Sequence, residues 1–135
     1  MQYRIAAALA AALLACGCGG GLSGPSDVIG GTWRLTSWSR TDGQTTVVDD
    51  PTRYTISFGS DGRVGIKSDC NSCGGSYELN GSNLAVGAVA CTRAFCGLQS
   101  LDPVFAEAVG HARMVSVRNG TLVLQSEQGT LQFRP

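Results

Sequence analysis

Four cysteines are the residues of this chain with the most chemistry in them. Cys70 and Cys73 form a C-x2-C cluster and Cys91 and Cys96 a C-x4-C cluster, both inside the stretch 69–96, DCNSCGGSYELNGSNLAVGAVACTRAFC. Two such clusters facing each other across a hairpin have two main uses. Oxidised, they cross-link the arms of the hairpin; reduced, they present four thiolates at a spacing close to that of a zinc ribbon. A redox-active C-x-x-C is a third chemistry, but it needs a helix N-terminus to lower the pKa of its first thiol. Cys70-Asn71-Ser72-Cys73 runs instead into Gly74-Gly75 and a strand-like pattern.

The choice between staple and zinc turns on compartment, because cysteines placed to pair oxidise outside the cytoplasm and stay reduced within it. The N-terminus points to export. Arg4 and the amino terminus supply positive charge, and 5–15 is an uninterrupted run of Ile, Ala and Leu. That run is shorter than the ~20 residues of a membrane-spanning helix and has the order of a secretory signal. It ends in Leu13-Leu14-Ala15-Cys16, which resembles the lipobox of bacterial lipoproteins; Cys16 would then carry a diacylglyceryl thioether as the lipid anchor. Leu14 is bulkier than is usual there, and an ordinary signal cut at an A-x-A-like site is the alternative. Gly17 stands where an aspartate would signal inner-membrane retention, which favours the outer membrane, facing the periplasm.

Residues 1–15 are therefore read as a lipoprotein signal peptide, 16–30 as a flexible Gly/Ser/Pro-rich tether, and 31–135 as the folded domain. Cys18, in the tether, is the odd thiol. Export favours disulfides over a zinc site built from the four cysteines, and no cofactor or metal is expected. Antiparallel arms favour the nested pairing, Cys70 with Cys96 and Cys73 with Cys91; the crossed pairing stays open.

The elements that position these clusters are strands. With 135 residues the chain has the length of one domain, and its formal charge of zero leaves no electrostatic footprint for nucleic acid. From Thr32 onward the dominant period is two. Trp33 and Leu35 share a face, with Trp38 read as the end of that strand. Tyr54, Ile56 and Phe58 alternate with Thr55 and Ser57, then Val64 with Ile66, Tyr77 with Leu79, and Leu84 with Val86. Asp42-Gly43, Ser60-Asp61-Gly62, Asn80-Gly81 and Asn119-Gly120 supply turns. Leu101, Val104, Phe105, Ala108 and Val109 fall on one helical stripe, with Asp102-Pro103 suited to its start and Gly110 to its stop. The expected fold is mainly β (α+β): about eight short antiparallel strands in a curled sheet or incomplete barrel, with one covering helix near 101–109.

Several of these segments carry a resemblance. Gly31-Thr32-Trp33, the F-x-x-D-G-R of 58–63 and the D-C-N-x-C-x-G-x-Y of 69–77 recur in order. Leu84-x-Val86-Gly87, the C-T-R-x-x-C of 91–96 and the Leu122-x-Leu124 and Leu131-x-Phe133 pairs follow them. Together they resemble the META domain family, the HslJ-like heat-shock lipoproteins. The resemblance implies a small β-rich envelope protein, linked to heat shock, novobiocin tolerance and motility, with no established catalytic residues. It also implies that Cys70 and Cys96 are the family's usual pair and that Cys73 and Cys91 are an addition, which again points to nesting.

Nothing in the polar residues points to an enzyme. His111 lies beside Arg113 just past the helix stop, where a surface or cap role accounts for it, and the acidic residues sit mostly in turns. Asp69 and Arg93 flank the staple and are expected to form an ion pair or backbone bonds that orient the loops. Asn71 and Thr92 are expected to bond to nearby loop backbone. All four are also the candidate ligand contacts. The leading expectation is a non-enzymatic, lipid-anchored envelope module, for interaction or stress tolerance, held to the membrane by its N-terminal lipid and binding an unknown envelope protein. A small-ligand carrier using a cavity at Tyr54, Phe58 and Tyr77 is the alternative, and a four-cysteine zinc protein comes third.

Overall fold

The period-two stretches become ten strands in a computed structural model, which describes residues 25–135. The expected leader, Cys16 and Cys18 lie outside the described residues. In order come β1 (Thr32–Arg40), β2 (Thr45–Val47), β3 (Tyr54–Phe58), β4 (Arg63–Ser68), β5 (Asn71–Asn80), β6 (Asn83–Val86) and β7 (Ala90–Cys91). Helix α1 (Val104–Gly110) follows, then β8 (Ala112–Arg118), β9 (Thr121–Ser126) and β10 (Gly129–Arg134). Eight of the strands run β1-β3-β4-β5-β6-β8-β9-β10 and return to β1, every neighbour antiparallel, with β2 added beside β1 and β7 beside β5.

The sheet is thus a closed barrel. Closure comes from β1 and β10, which pair from Arg34↔Arg134 to Arg40↔Gly129. β1 can serve this seam because it is nine residues long and has a bulge between Leu35 and Ser37. One extra residue resets the alternation of faces. Trp33 and Leu35 point inward, and after the bulge so does Trp38, which is 2% exposed. Trp38 is therefore a core residue within the strand rather than its end.

The inward positions of β3, β4 and β9 fill the barrel with Ile56, Phe58, Val64, Ile66, Leu122 and Leu124. At one end α1 lays Phe105, Ala108 and Val109 over the core, with the Phe105 ring 5.5 Å from Tyr54 and 6.2 Å from Phe133. The helix starts at Val104, three residues after Leu101, and Asp102 does not cap it. The Asp102 carboxylate bonds instead to a side chain of β5. At the other end Val28 is buried, and its carbonyl accepts from the Trp33 indole at 3.1 Å.

Gly129 is where closure leaves least room. It has φ +130°, and a Cβ there would lie 2.1 Å from the Ser39 carbonyl oxygen. Gly129→Ala should lower stability by about 3 kcal/mol or more in urea unfolding. Gly43→Ala, in a turn with open space around it, should cost only about 1–2 kcal/mol. Equal effects would mean that the β1–β10 seam does not govern closure.

Candidate functional site

The two cysteine clusters meet because β5 is longer than the barrel wall beside it. Its last residues pair with β6, from Tyr77↔Val86 to Asn80↔Asn83. Its first residues pair with β7, at Cys73↔Cys91 and Gly74↔Ala90. Between these two runs the register slips by one residue, so 87–89 form a bulge. Gly75 permits it: a Cβ there would lie 2.9 Å from the Ala88 carbonyl oxygen. The register sets Cys73 opposite Cys91 with Cα atoms 4.0 Å apart, and these two form a disulfide. Cys70 and Cys96 form the second, with Cα atoms 5.5 Å apart. The pairing is nested, and it places all four sulfurs in S–S bonds, leaving no thiolate for zinc. Each bridge adds roughly 3 kcal/mol by restricting the unfolded chain.

Between the bridges lies Asn71, 1% exposed. Its Oδ1 accepts from the Ala94 N–H at 2.8 Å and the Thr92 hydroxyl at 2.9 Å. Its Nδ2 donates to the Ala94 carbonyl and the Asp102 carboxylate, both at 2.9 Å. A primary amide has two acceptor and two donor positions, and all four are used. Toward Ala94 it behaves like a further peptide unit, extending the ladder by one side chain. Thr92 continues the pattern: its hydroxyl accepts from Ser72 N–H at 3.0 Å. Asn71 thus bonds to loop backbone at Ala94, whereas Thr92 bonds to the β5 backbone at Ser72, and the two side chains bond to each other.

Asp69 does not pair with Arg93. It occupies a tight turn at φ 60°, and its N–H donates to the Arg53 carbonyl at 2.7 Å. That bond aims the carboxylate at the 3-10 turn Pro51–Arg53, where Arg53 Nε reaches Oδ1 at 2.8 Å and Nη2 reaches Oδ2. The two-pronged ion pair holds the Asp69 carboxyl below its usual range, with smaller contributions from Ser100 and Tyr54. The Tyr54 hydroxyl in turn accepts from Leu101 N–H at 2.9 Å. Arg53, the Tyr54 hydroxyl and Asp102 were not among the expected site residues. No motif marks Arg53; only the β3–β4 register, Tyr54↔Ser68, brings it beside Asp69.

The network and the bridges fix the loop 92–100 in place, and that loop exposes large apolar groups. Phe95 is 82% and Leu98 91% exposed. Beside it a groove of about 1040 Å³ runs between 86–95 and α1, bordered by Arg93, Asp102, Glu107, His111 and Arg113. Arg93 therefore belongs to the groove rather than to the ion pair. Tyr54, Phe58 and Tyr77 do not line the groove. They pack inside the barrel, Phe58 edge-on to Tyr77 at 4.9 Å. No described helix is long and apolar enough to cross a membrane.

A family model described as META domain matches residues 26–135. No curated protein matches the chain. Three solved structures share the fold. An NMR structure of a protein from Burkholderia xenovorans has a TM-score of 0.68 at 21% identity, covering 99% of this chain and 97% of its own. A second NMR structure has a TM-score of 0.61 at 24% identity, over 82% of this chain and 92% of its own. A crystal structure of a duf4847 family protein from Bacteroides vulgatus has a TM-score of 0.57 at 15% identity, over 81% and 94%.

Asn71→Asp keeps two acceptors, loses both donors and sets a carboxylate against Asp102 and the Ala94 carbonyl. It should cost about 2–4 kcal/mol in urea unfolding with both bridges intact. Amide exchange at Ala94 should also rise; unchanged exchange would remove Asn71 from the role given to it. The Asp69 ion pair has its own pH signature. A carboxyl held below its unfolded pKa of ~3.9 stabilises the fold above that value, and the contribution disappears as pH falls through the folded pKa. Asp69→Asn, which tolerates the same φ, should be less stable at neutral pH and converge with the parent in strong acid. Parallel pH profiles would refute the pair's contribution.

Proposed function

The chain belongs to the META domain family, and on that premise we propose that it is a non-enzymatic, lipid-anchored interaction module of the bacterial cell envelope. One observation carries the reading: the cross-linked loop 92–100 holds Phe95 and Leu98 in water. Burying such side chains is worth roughly 1.5–3 kcal/mol each. A flexible loop would fold them back onto the domain, whereas this one is held by the Cys70–Cys96 bridge and the four bonds of Asn71. Two large apolar groups on a rigid support suit a protein contact.

The position of the loop agrees with anchoring at the N-terminus. The chain enters the barrel at Thr32, which pairs with Ser57 at the far end of β3 from Tyr54. The bridges lie at the Tyr54 end, next to Ser68. A lipid on Cys16, tethered through the residues that precede the buried Val28, would leave the loop turned away from its own membrane and free to meet a partner. Outer-membrane placement facing the periplasm, and a part in stress tolerance, complete the proposal. The filled barrel interior gives the carrier alternative less support than the exposed loop gives this one.

A photo-crosslinking amino acid placed in cells at Phe95 or Leu98 should trap a common adduct. The same group at Val47, which is 72% exposed on β2, should not. The membrane-extracted chain should have an intact mass beginning at Cys16 with a diacylglyceryl group. Equal trapping from all three positions would sink the interaction reading, and an unmodified N-terminus would sink the anchor.

A further inference from the structure

The groove beside the loop has the properties of an unfinished sheet. Among the described residues β7 has a ladder on one side only, to β5. Thr92 N–H donates to Ser72 carbonyl at 3.0 Å, so Ala90 and Thr92 turn their backbone groups toward β5. Past the end of β7, Ala94 likewise turns both backbone groups to Asn71 of β5, so alternation leaves those of Cys91 and Arg93 facing the groove they line. The barrel wall leaves this edge open. β6 meets β8 in one residue pair, Asn83↔Met114, beside a bond from Val115 N–H to Ser82 carbonyl at 2.9 Å. Beyond it the strands part, and α1 stands across the gap with Ala106 and Gly110 leaving space for a chain. Val89 closes one end, its Cγ2 lying 3.7 Å from where a Gly110 Cβ would be.

The charged groups at the groove are unevenly satisfied. Asp102 accepts from Asn71 Nδ2 at 2.9 Å and Glu107 from Gln128 Nε2 at 3.3 Å. Arg93 and Arg113 form no ion pair; among the described residues only Arg53 and Asp69 do. Arg113 reaches no more than the carbonyl of its neighbour Ala112, at 3.4 Å. The groove therefore offers backbone groups on one side and, at its rim, two guanidiniums that the neighbouring Asp102 and Glu107 carboxylates do not pair with.

We infer that the groove binds an extended peptide segment bearing acidic side chains, added as a strand to the free edge of β7. Its backbone bonds to Cys91 and Arg93, and its carboxylates take the guanidiniums of Arg93 and Arg113. The inference rests on the interaction reading and supplies the partner's chemistry. The Cys73–Cys91 bridge holds the receiving edge in strand geometry before binding, so little order is lost from the protein side when a peptide arrives.

The test uses the purified 15N-labelled chain and two acetylated, amidated hexapeptides, VTEVEV and its lysine twin VTKVKV. The glutamate peptide should move the amide signals of Cys91 and Arg93 and bind about tenfold tighter than the twin. Methylating alternate backbone nitrogens of the peptide should abolish binding, and the double variant R93E and R113E should reverse the preference. No movement of these signals at millimolar peptide, or binding indifferent to N-methylation, would overturn the inference. If Phe95 crosslinks persist in that case, the interaction reading survives and only the groove's role is lost.

Discussion

The amide of Asn71 is the point on which this end of the molecule depends. It is buried between two disulfides, and every hydrogen-bonding position it has is taken. Three parts of the chain distant in sequence meet there: the start of β5, the loop after β7 and the approach to α1. A buried amide left partly unsatisfied costs more than the bonds it makes are worth, so the loop has one geometry compatible with it. The bridges limit how far the loop can travel; the amide specifies where it stops.

The barrel provides the rigid base for that arrangement. Its closure along β1 and β10 leaves no long edge of the main sheet exposed, which relieves most of the chain of the hazard open edges carry. Two short strands stand outside the closed sheet, β2 beside β1 and β7 beside the extension of β5 past the wall. There β7 is added outside the barrel, and α1 occupies the end where β6 and β8 part. Groove, cross-linked loop and exposed aromatic group all follow from one strand being longer than its neighbours require.

This division gives the functional proposal its physical sense. Side chains from the strands and from both ends pack into the core, while two bridges and a buried amide order a surface loop. Two disulfides and a saturated buried amide converge on that loop. Their joint effect is to keep Phe95 and Leu98 outward and the β7 edge extended. A surface so prepared loses little freedom on contact.

Much of this is legible in the order of residues. Alternation places most strands, the helical stripe places the buried face of α1, and the family motifs are recognisable around Cys70 and Cys96. These are local properties, set by the period of apolar residues and the chemistry of turns. Trp38 departs from the expectation because a bulge changes the phase of a strand without a distinctive residue to announce it. The partner of Asp69 departs from it because flanking the same staple as Arg93 says nothing about where a turn at positive φ aims a carboxylate. Arg53 and Asp102 enter the site through the β3–β4 register and the burial of Asn71, and barrel closure through the pairing of the first strand with the last. Such contacts join residues far apart along the chain, so only the packed structure decides them.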